Sequence, residues 1–180
     1  MGIQGTDQSA RFKETFEDVY KGGKLDTLPY YVVAGNHDYY GNVTAQVAYA
    51  KRNPQWMFSE LYYTKHFSVN GFTVDIVFID TVPLAGNSDL QEDPFAPLPG
   101  PAPEDVPIAE TQWAWIEEQF KTSTADYLLC VGHYPVYSGC SHGDTPALKS
   151  HLKPLLEQHH VQAYISGHEH CAGMDLVFWG

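Results

Sequence analysis

Basic residues are scarce. Ten Lys and Arg stand against 22 Asp and Glu in 180 residues, a formal net charge of 10 − 22 = −12. Such a chain has no electrostatic footprint for a nucleic-acid backbone or an anionic membrane surface. An anionic substrate would have to be met through a bound cation. Long apolar runs are missing as well. Tyr30–Ala34 is typical of the longest, far short of the roughly 20 residues that span a bilayer. Cysteine is limited to Cys130, Cys140 and Cys171. That excludes a disulfide framework and leaves open one bridge with a spare thiol, or no bridge. Met1-Gly2-Ile3-Gln4-Gly5-Thr6 shows neither the basic nor the apolar stretch of a secretory signal. No internal repeat or low-complexity tract stands out. What the chain does have is 43% hydrophobic residues, enough for a core, and the length of one ordinary domain.

Helical and strand patterns alternate. Phe12, Phe16, Val19 and Tyr20 fall at i, i+4, i+7 and i+8, which predicts an amphipathic helix over 9–21, closed by Gly22-Gly23. Tyr30–Ala34 reads as a buried strand and residues 43–52 as a helix stopping before Pro54. Thr73–Ile79 carries Val74, Ile76 and Phe78 on one face and Val77 and Ile79 on the other, as in a sheet covered on both sides. Residues 83–107 hold seven prolines and five acidic residues and read as one long surface loop. Trp113, Ile116 and Phe120 mark the buried stripe of the next helix, and Tyr127–Val131 the next strand. Thr145-Pro146 reads as an N-cap and first-turn pair. Leu148, Leu152, Leu155 and Leu156 continue it, with a break at Pro154. Gln162–Ser166 and Met174–Trp179 read as two last strands. The sum is an α/β layered domain.

Three of these strands end in the same kind of punctuation: Gly35-Asn36-His37-Asp38, Gly132-His133-Tyr134-Pro135 and Gly167-His168-Glu169-His170. The carboxyl ends of strands in an open α/β sheet share one rim, where sites assemble. Each glycine is expected to let the backbone turn sharply past its strand. His168 and His170, two apart on an extended segment, would share a face. Any one of these motifs has an ordinary explanation as a turn or a surface histidine. Together they point to a metal site. Imidazole nitrogens with an amide oxygen suit Zn²⁺, Mn²⁺ or Fe²⁺.

These three motifs resemble the last three motif blocks of the calcineurin-like metallophosphoesterases, and more closely those of the tartrate-resistant (purple) acid phosphatases. The segments 11–20, 35–43, Asp80-Thr81-Val82, Gly86-Asn87-Ser88-Asp89 and 132–136 carry the resemblance, over residues 3 to about 170. It implies a layered αββα sandwich and a dinuclear centre of Fe³⁺ with Fe²⁺, Zn²⁺ or Mn²⁺. It implies that Asn36, His133 and His168 ligate the divalent ion and His170 the ferric ion. His37 would sit unligated over the substrate, hydrogen-bonding phosphate or protonating the leaving oxygen, with His142 as a second substrate-side histidine. Asp38 would support the ligands from behind. Asn42-Val43-Thr44 is the single N-x-[ST] sequon and matches a glycosylated position.

The resemblance also implies an aspartate, a metal-bridging aspartate and a tyrosinate ahead of Arg11, and no residue there matches them. Met174–Gly180 does not match the continuation after the last motif. The expectation is therefore one partial domain over residues 1–180, a fragment incomplete at both ends, binding at most one divalent ion weakly and with little activity alone. A disulfide implied between the loop at Gly86-Asn87 and the helix after Pro146 has Ala85 and Ala147 in its place, so the long loop is expected to be less tethered. The parent is expected to be an acid phosphatase acting on small-molecule or protein phosphomonoesters, secreted or lysosomal, without nucleic-acid or membrane partners. The alternatives are a phosphodiesterase of the same superfamily and a non-catalytic metal-binding fragment.

Overall fold

The structure is a computed structural model that describes residues 3–86 and 105–171. Its strands are β1 (Tyr30–Tyr31), β2 (Trp56–Met57), β3 (Tyr63–Val69), β4 (Phe72–Phe78), β5 (Tyr127–Val131) and β6 (Ala163–Ile165). Strands β1 and β2 pair in parallel; the other four form one sheet in the order β3-β4-β5-β6. Within it β3–β4 is antiparallel, and β4–β5 and β5–β6 are parallel. The helices are α1 (Ala10–Phe12), α2 (Asn36–Tyr39), α3 (Val43–Tyr49), α4 (Thr81–Ala85), α5 (Val106–Thr122) and α6 (Lys153–Gln158).

Strand β4 shows why the sheet is covered on both faces. Val77, and Ile79 just beyond the strand, point into a core with Ile116 and Phe120 of α5 and with Leu148, Leu152 and Leu156. Phe78 points the other way, into a cluster with Ala34, Phe58 and Tyr63. Each fully buried aliphatic side chain contributes about 1.5–3 kcal/mol, so this double-sided burial fixes the strand register. The buried stripe of α5 is Ala109, Gln112, Ile116 and Phe120, while Trp113 lies at its margin and stacks on His151.

Several elements depart from the sequence pattern. The first helix is short: α1 runs into a π-helical turn at Lys13–Glu17, where the Asp18 N–H reaches back five residues to the Lys13 carbonyl. That extra residue rotates the chain off the buried face. Phe12 and Phe16 are buried, but Val19 and Tyr20 are exposed. The loop expected from residue 83 begins later, because the Asp80 carboxylate accepts the Val82 N–H and starts α4. Residues 87–104, the body of that loop, lie outside the described residues, as does the strand expected at Met174–Trp179. Strand β3 has no counterpart in the sequence reading, although its signal is present. Asn70-Gly71 both have positive φ and join Val69 to Phe72, the two-residue hairpin turn matched to strand twist. Pro146 is the first helical residue after Thr145, as expected. The break at Pro154 takes the form of a π-helical turn at Leu148–Leu152 just ahead of it, since proline donates no hydrogen bond and crowds the preceding turn.

Candidate metal centre

Asn36 begins α2 directly after the buried segment that follows β1. The Asp38 carboxylate closes this turn, accepting the Gly35 N–H at 2.9 Å and the Gln46 side-chain N–H at 2.7 Å. Gly35 is not turned sharply: its φ is −112° and ψ 173°. Its missing Cβ matters for another reason, since a methyl there would lie 2.8–2.9 Å from the His133 ring. The first and second motifs are thus packed against each other through a glycine.

His133 follows β5. Its backbone N–H and that of Tyr134 both donate to Thr81 Oγ1, at 3.2 and 3.0 Å. Gly132 also serves close packing, because a Cβ would come 2.7 Å from Thr81 Cγ2. The third motif is where a true turn occurs, and it occurs at a histidine. His168 has φ 68°, and the Glu169 N–H bonds the Gly167 carbonyl at 2.8 Å across it, a γ-turn that is strained for a residue other than glycine. The segment is therefore not extended, and His168 and His170 do not simply share a strand face. Instead the His142 ring packs against both, 4.3 Å from His168 and 5.5 Å from His170, centroid to centroid.

Three atoms meet. His133 Nε2 lies 2.9 Å from Asn36 Oδ1 and 3.2 Å from His168 Nδ1. One ring proton cannot satisfy both neighbours at once, whereas a single cation can satisfy all three. Ligands about 2.0–2.2 Å from a common ion would sit at such separations. The residues present fit a divalent cation. Burial, together with the nearby His37 and His142, lowers His133 to about 4. Burial foremost, with His133 next, lowers His168 to about 4 as well. Both rings are therefore neutral in mildly acid solution, and a cation bound there would release no ring protons.

His170 is exposed and outside this group. Among the described residues, the only set of three or more His, Cys, Asp or Glu ligand atoms mutually within 4.8 Å is Cys140, Glu169 and Cys171. It follows that no described carboxylate lies within that distance of both imidazole nitrogens. His37, next to Asn36, is exposed with its ring edge-on to Tyr40. Asn42 caps α3, with Oδ1 accepting the Ala45 N–H and Nδ2 donating to the Gly5 carbonyl. Cys140 and Cys171 form a disulfide, and Cys130 is a buried free thiol.

The sequence reading assigned no role to the group behind these loops. Asp80 is fully buried, accepts the Tyr39 O–H, and is clasped at its backbone by the Gln112 side chain at 2.8 and 3.0 Å. The available signal was Asp80-Thr81, a fourth polar pair placed directly after a buried strand.

Three loops, each following a strand, bring Asn36 Oδ1 and His168 Nδ1 against His133 Nε2, a framework suited to a metal centre. A model of the calcineurin-like phosphoesterase family matches residues 3–172, and the chain belongs to that family. It is 44% identical over 162 residues to tartrate-resistant acid phosphatase type 5 of Mus musculus, covering 89% of this chain and 48% of that one. To the Homo sapiens protein of the same name it is 43% identical over 173 residues (94% and 51%). To purple acid phosphatase 4 of Arabidopsis thaliana it is 32% identical over 171 residues (94% and 49%). A solved structure described as GAP50, the anchor in the inner membrane complex of Plasmodium, superposes with a TM-score of 0.72 at 26% identity, covering 93% of this chain and 52% of that one. The chain spans about half the length of the curated relatives it matches.

Proposed function

We propose that this chain carries the Asn/His half of a metal-dependent phosphomonoesterase site. The approach of His133 Nε2 to Asn36 Oδ1 at 2.9 Å and to His168 Nδ1 at 3.2 Å is the observation that carries the reading. A divalent cation held there would polarise a phosphoryl oxygen and make water a better nucleophile at moderate pH. The histidines around it complete the chemistry. His37 stands one residue beyond a ligand, and His142 packs on His168; either can hydrogen-bond a phosphate oxygen or hand a proton to the departing alkoxide. The acidic character of the chain makes that cation necessary for an anionic ester to approach.

The metal complement of this chain is a single weakly held divalent ion, because no described carboxylate lies within 4.8 Å of both imidazole nitrogens to bridge a second one. The second, ferric position and the role of His170 there belong to the fuller site that the family resemblance implies. The relatives' names supply the substrate class, phosphomonoesters, and acid conditions. A secreted or lysosomal location is supported by the Cys140–Cys171 bridge, since such bridges persist in oxidising compartments. Use of the Asn42 sequon is compatible with its capping role, because a glycan on Nδ2 leaves one hydrogen for Gly5.

The test is a titration of the chain with Zn²⁺ and Mn²⁺ alongside hydrolysis of an aryl phosphate monoester and the matching diester. One ion lost on His133→Ala, with slow hydrolysis of the monoester ahead of the diester, is the expected result. Two tightly held ions with ordinary turnover would overturn the single-ion reading. Preference for the diester would make the chain a phosphodiesterase. Binding without any hydrolysis would favour a non-catalytic role, such as the anchoring described for the Plasmodium neighbour.

A further inference from the structure

Both carboxylate oxygens of Glu169 are buried, and neither has a hydrogen-bond partner. The ion pairs of the described residues all lie elsewhere. A carboxylate withdrawn from water without a partner is costly, and a cation is its natural complement. Two sulfurs stand beside it as potential co-ligands. One ligand atom each from Cys140, Cys171 and Glu169 lie within 4.8 Å of one another. The two cysteine Cα atoms are 6.6 Å apart, and 31 residues separate them in sequence.

We propose that Cys140, Cys171 and Glu169 form a second cation site, selective for a thiophilic divalent ion of the Zn²⁺ class, closed by the disulfide and opened by its reduction. While the sulfurs are bonded to each other they are poor ligands. When the bond is broken, two sulfurs and one carboxylate oxygen supply three protein ligands, and a tetrahedral ion keeps its fourth position for water. Zn–S bonds of about 2.3 Å place two sulfurs on one ion a little under 4 Å apart, which the present Cα separation accommodates with side-chain rotation. The reducing step balances with a phosphine. The phosphine takes an oxygen from water and is oxidised by two electrons, the S–S bond breaks, and the two protons of that water end on the two thiols. Binding of the cation then displaces those two protons into solution. Soft sulfur ligands separate this site from the Asn36–His133–His168 group, whose nitrogen and oxygen donors serve harder or borderline ions. The site stands independently of the phosphatase reading.

Cadmium is the probe, because thiolate-to-cadmium charge transfer absorbs in the ultraviolet and imidazole does not give that band. The whole chain is titrated with Cd²⁺ after air oxidation and again after phosphine reduction and gel filtration. The expected result is one equivalent of band in the reduced chain, none in the oxidised chain, and none in reduced Cys171→Ser. Glu169→Gln keeps both thiols and is expected to weaken Cd²⁺ about tenfold or more. His133→Ala, which strips the other centre, is expected to leave the band unchanged. A reduced chain without the band would overturn the proposal. So would a Glu169→Gln chain that binds Cd²⁺ as tightly as the parent. If Glu169→Gln instead weakened Zn²⁺ at the His133 group alone, Glu169 would be a counter-charge for that centre and the proposal would fall.

Discussion

Asn36 and His133 are braced from behind by one buried hub, whereas His168 is held from the side by a strained turn and a covalent tie. The hub is Asp80-Thr81 with Tyr39 and Gln112. Tyr39, at the end of the helix that Asn36 begins, donates to Asp80, and Thr81 takes the backbone N–H groups of His133 and Tyr134. The third loop leans on the His133 carbonyl through the Gly167 N–H at 3.0 Å, and Cys171 ties it to Cys140 beside His142. Two of the three residues are thus set by contacts within the fold itself. The third depends on constraints that chemistry outside the fold can remove.

The largest expected effect concerns the hub. Burial raises Asp80 to about 7. A carboxyl raised in the folded state keeps its proton where the unfolded chain has lost it, so its stabilisation is complete below about pH 4 and is lost as pH climbs through 7. The slope is up to about 1.4 kcal/mol per pH unit, and the whole contribution is on the order of 4 kcal/mol. His133 and His168 act in the opposite sense: lowered to about 4, they favour the folded state fully above pH 6.5 and less as pH falls. Asp80→Asn should therefore remove the loss of stability that Asp80 causes between about pH 4 and 7, so that the rise given by the two histidines over the same range stands unopposed. Urea melts at half-unit pH steps measure both. An unchanged profile in the variant would mean that Asp80 is not a hub of the kind described.

Cleaving the Cys140–Cys171 bridge comes next. A tie across 31 residues constrains the unfolded chain by about 3–4 kcal/mol in the loop-entropy account. Cys171→Ser should lower stability by that order. The loss of affinity for Zn²⁺ at the Asn36–His133–His168 group should follow from His168 alone, so Cys171→Ser in a His168→Ala background should cost no further affinity. A further loss in that background would show that the bridge also positions Asn36 or His133, and the contrast between the loops would disappear.

The sequence carried the parts of this picture that are local. The two-sided apolar pattern at 73–79 was enough to place β4 inside a covered sheet, and the Gly-initiated motifs after β1, β5 and β6 mark the loops that carry Asn36, His133 and His168, although β1 is only half-buried and β6 largely exposed. What escaped was set by contacts between distant segments. Gly35 is required by a ring 98 residues away and not by its own backbone angles. The Asp80–Gln112 pairing spans 32 residues, and nothing in either neighbourhood marks a buried polar pair. Three cysteines allow several pairings, and the one formed depends on where the His142 loop lies. The π-turn at Lys13–Glu17 shifts a helical stripe whose periodicity was otherwise regular.

Thr81→Val tests the hub without changing charge or volume. It leaves the N–H groups of His133 and Tyr134 without their acceptor in a buried place, at a cost of about 2 kcal/mol. The loss should appear in both stability and Zn²⁺ affinity, because the ligand loop itself relaxes. Thr81→Ser, which restores the hydroxyl, should recover the affinity even where the lost methyl leaves stability lower.

The smallest effect is expected at Asp38, and it shows how much of the bracing lies in front of the hub. Its two oxygens hold the Gly35 N–H and the Gln46 side chain, so Asp38→Ala frees the start of the Asn36 turn. Loss of such a cap costs about 1 kcal/mol, and loss of a group that orients a ligand lowers metal affinity by about tenfold. Gln46→Ala removes the outer hydrogen bond and leaves the one to Gly35. If the two variants lower Zn²⁺ affinity equally, the brace works as a chain from α3 through Asp38. If only Asp38→Ala does so, the Gly35 hydrogen bond alone sets Asn36, and the turn is preset by three residues of local sequence.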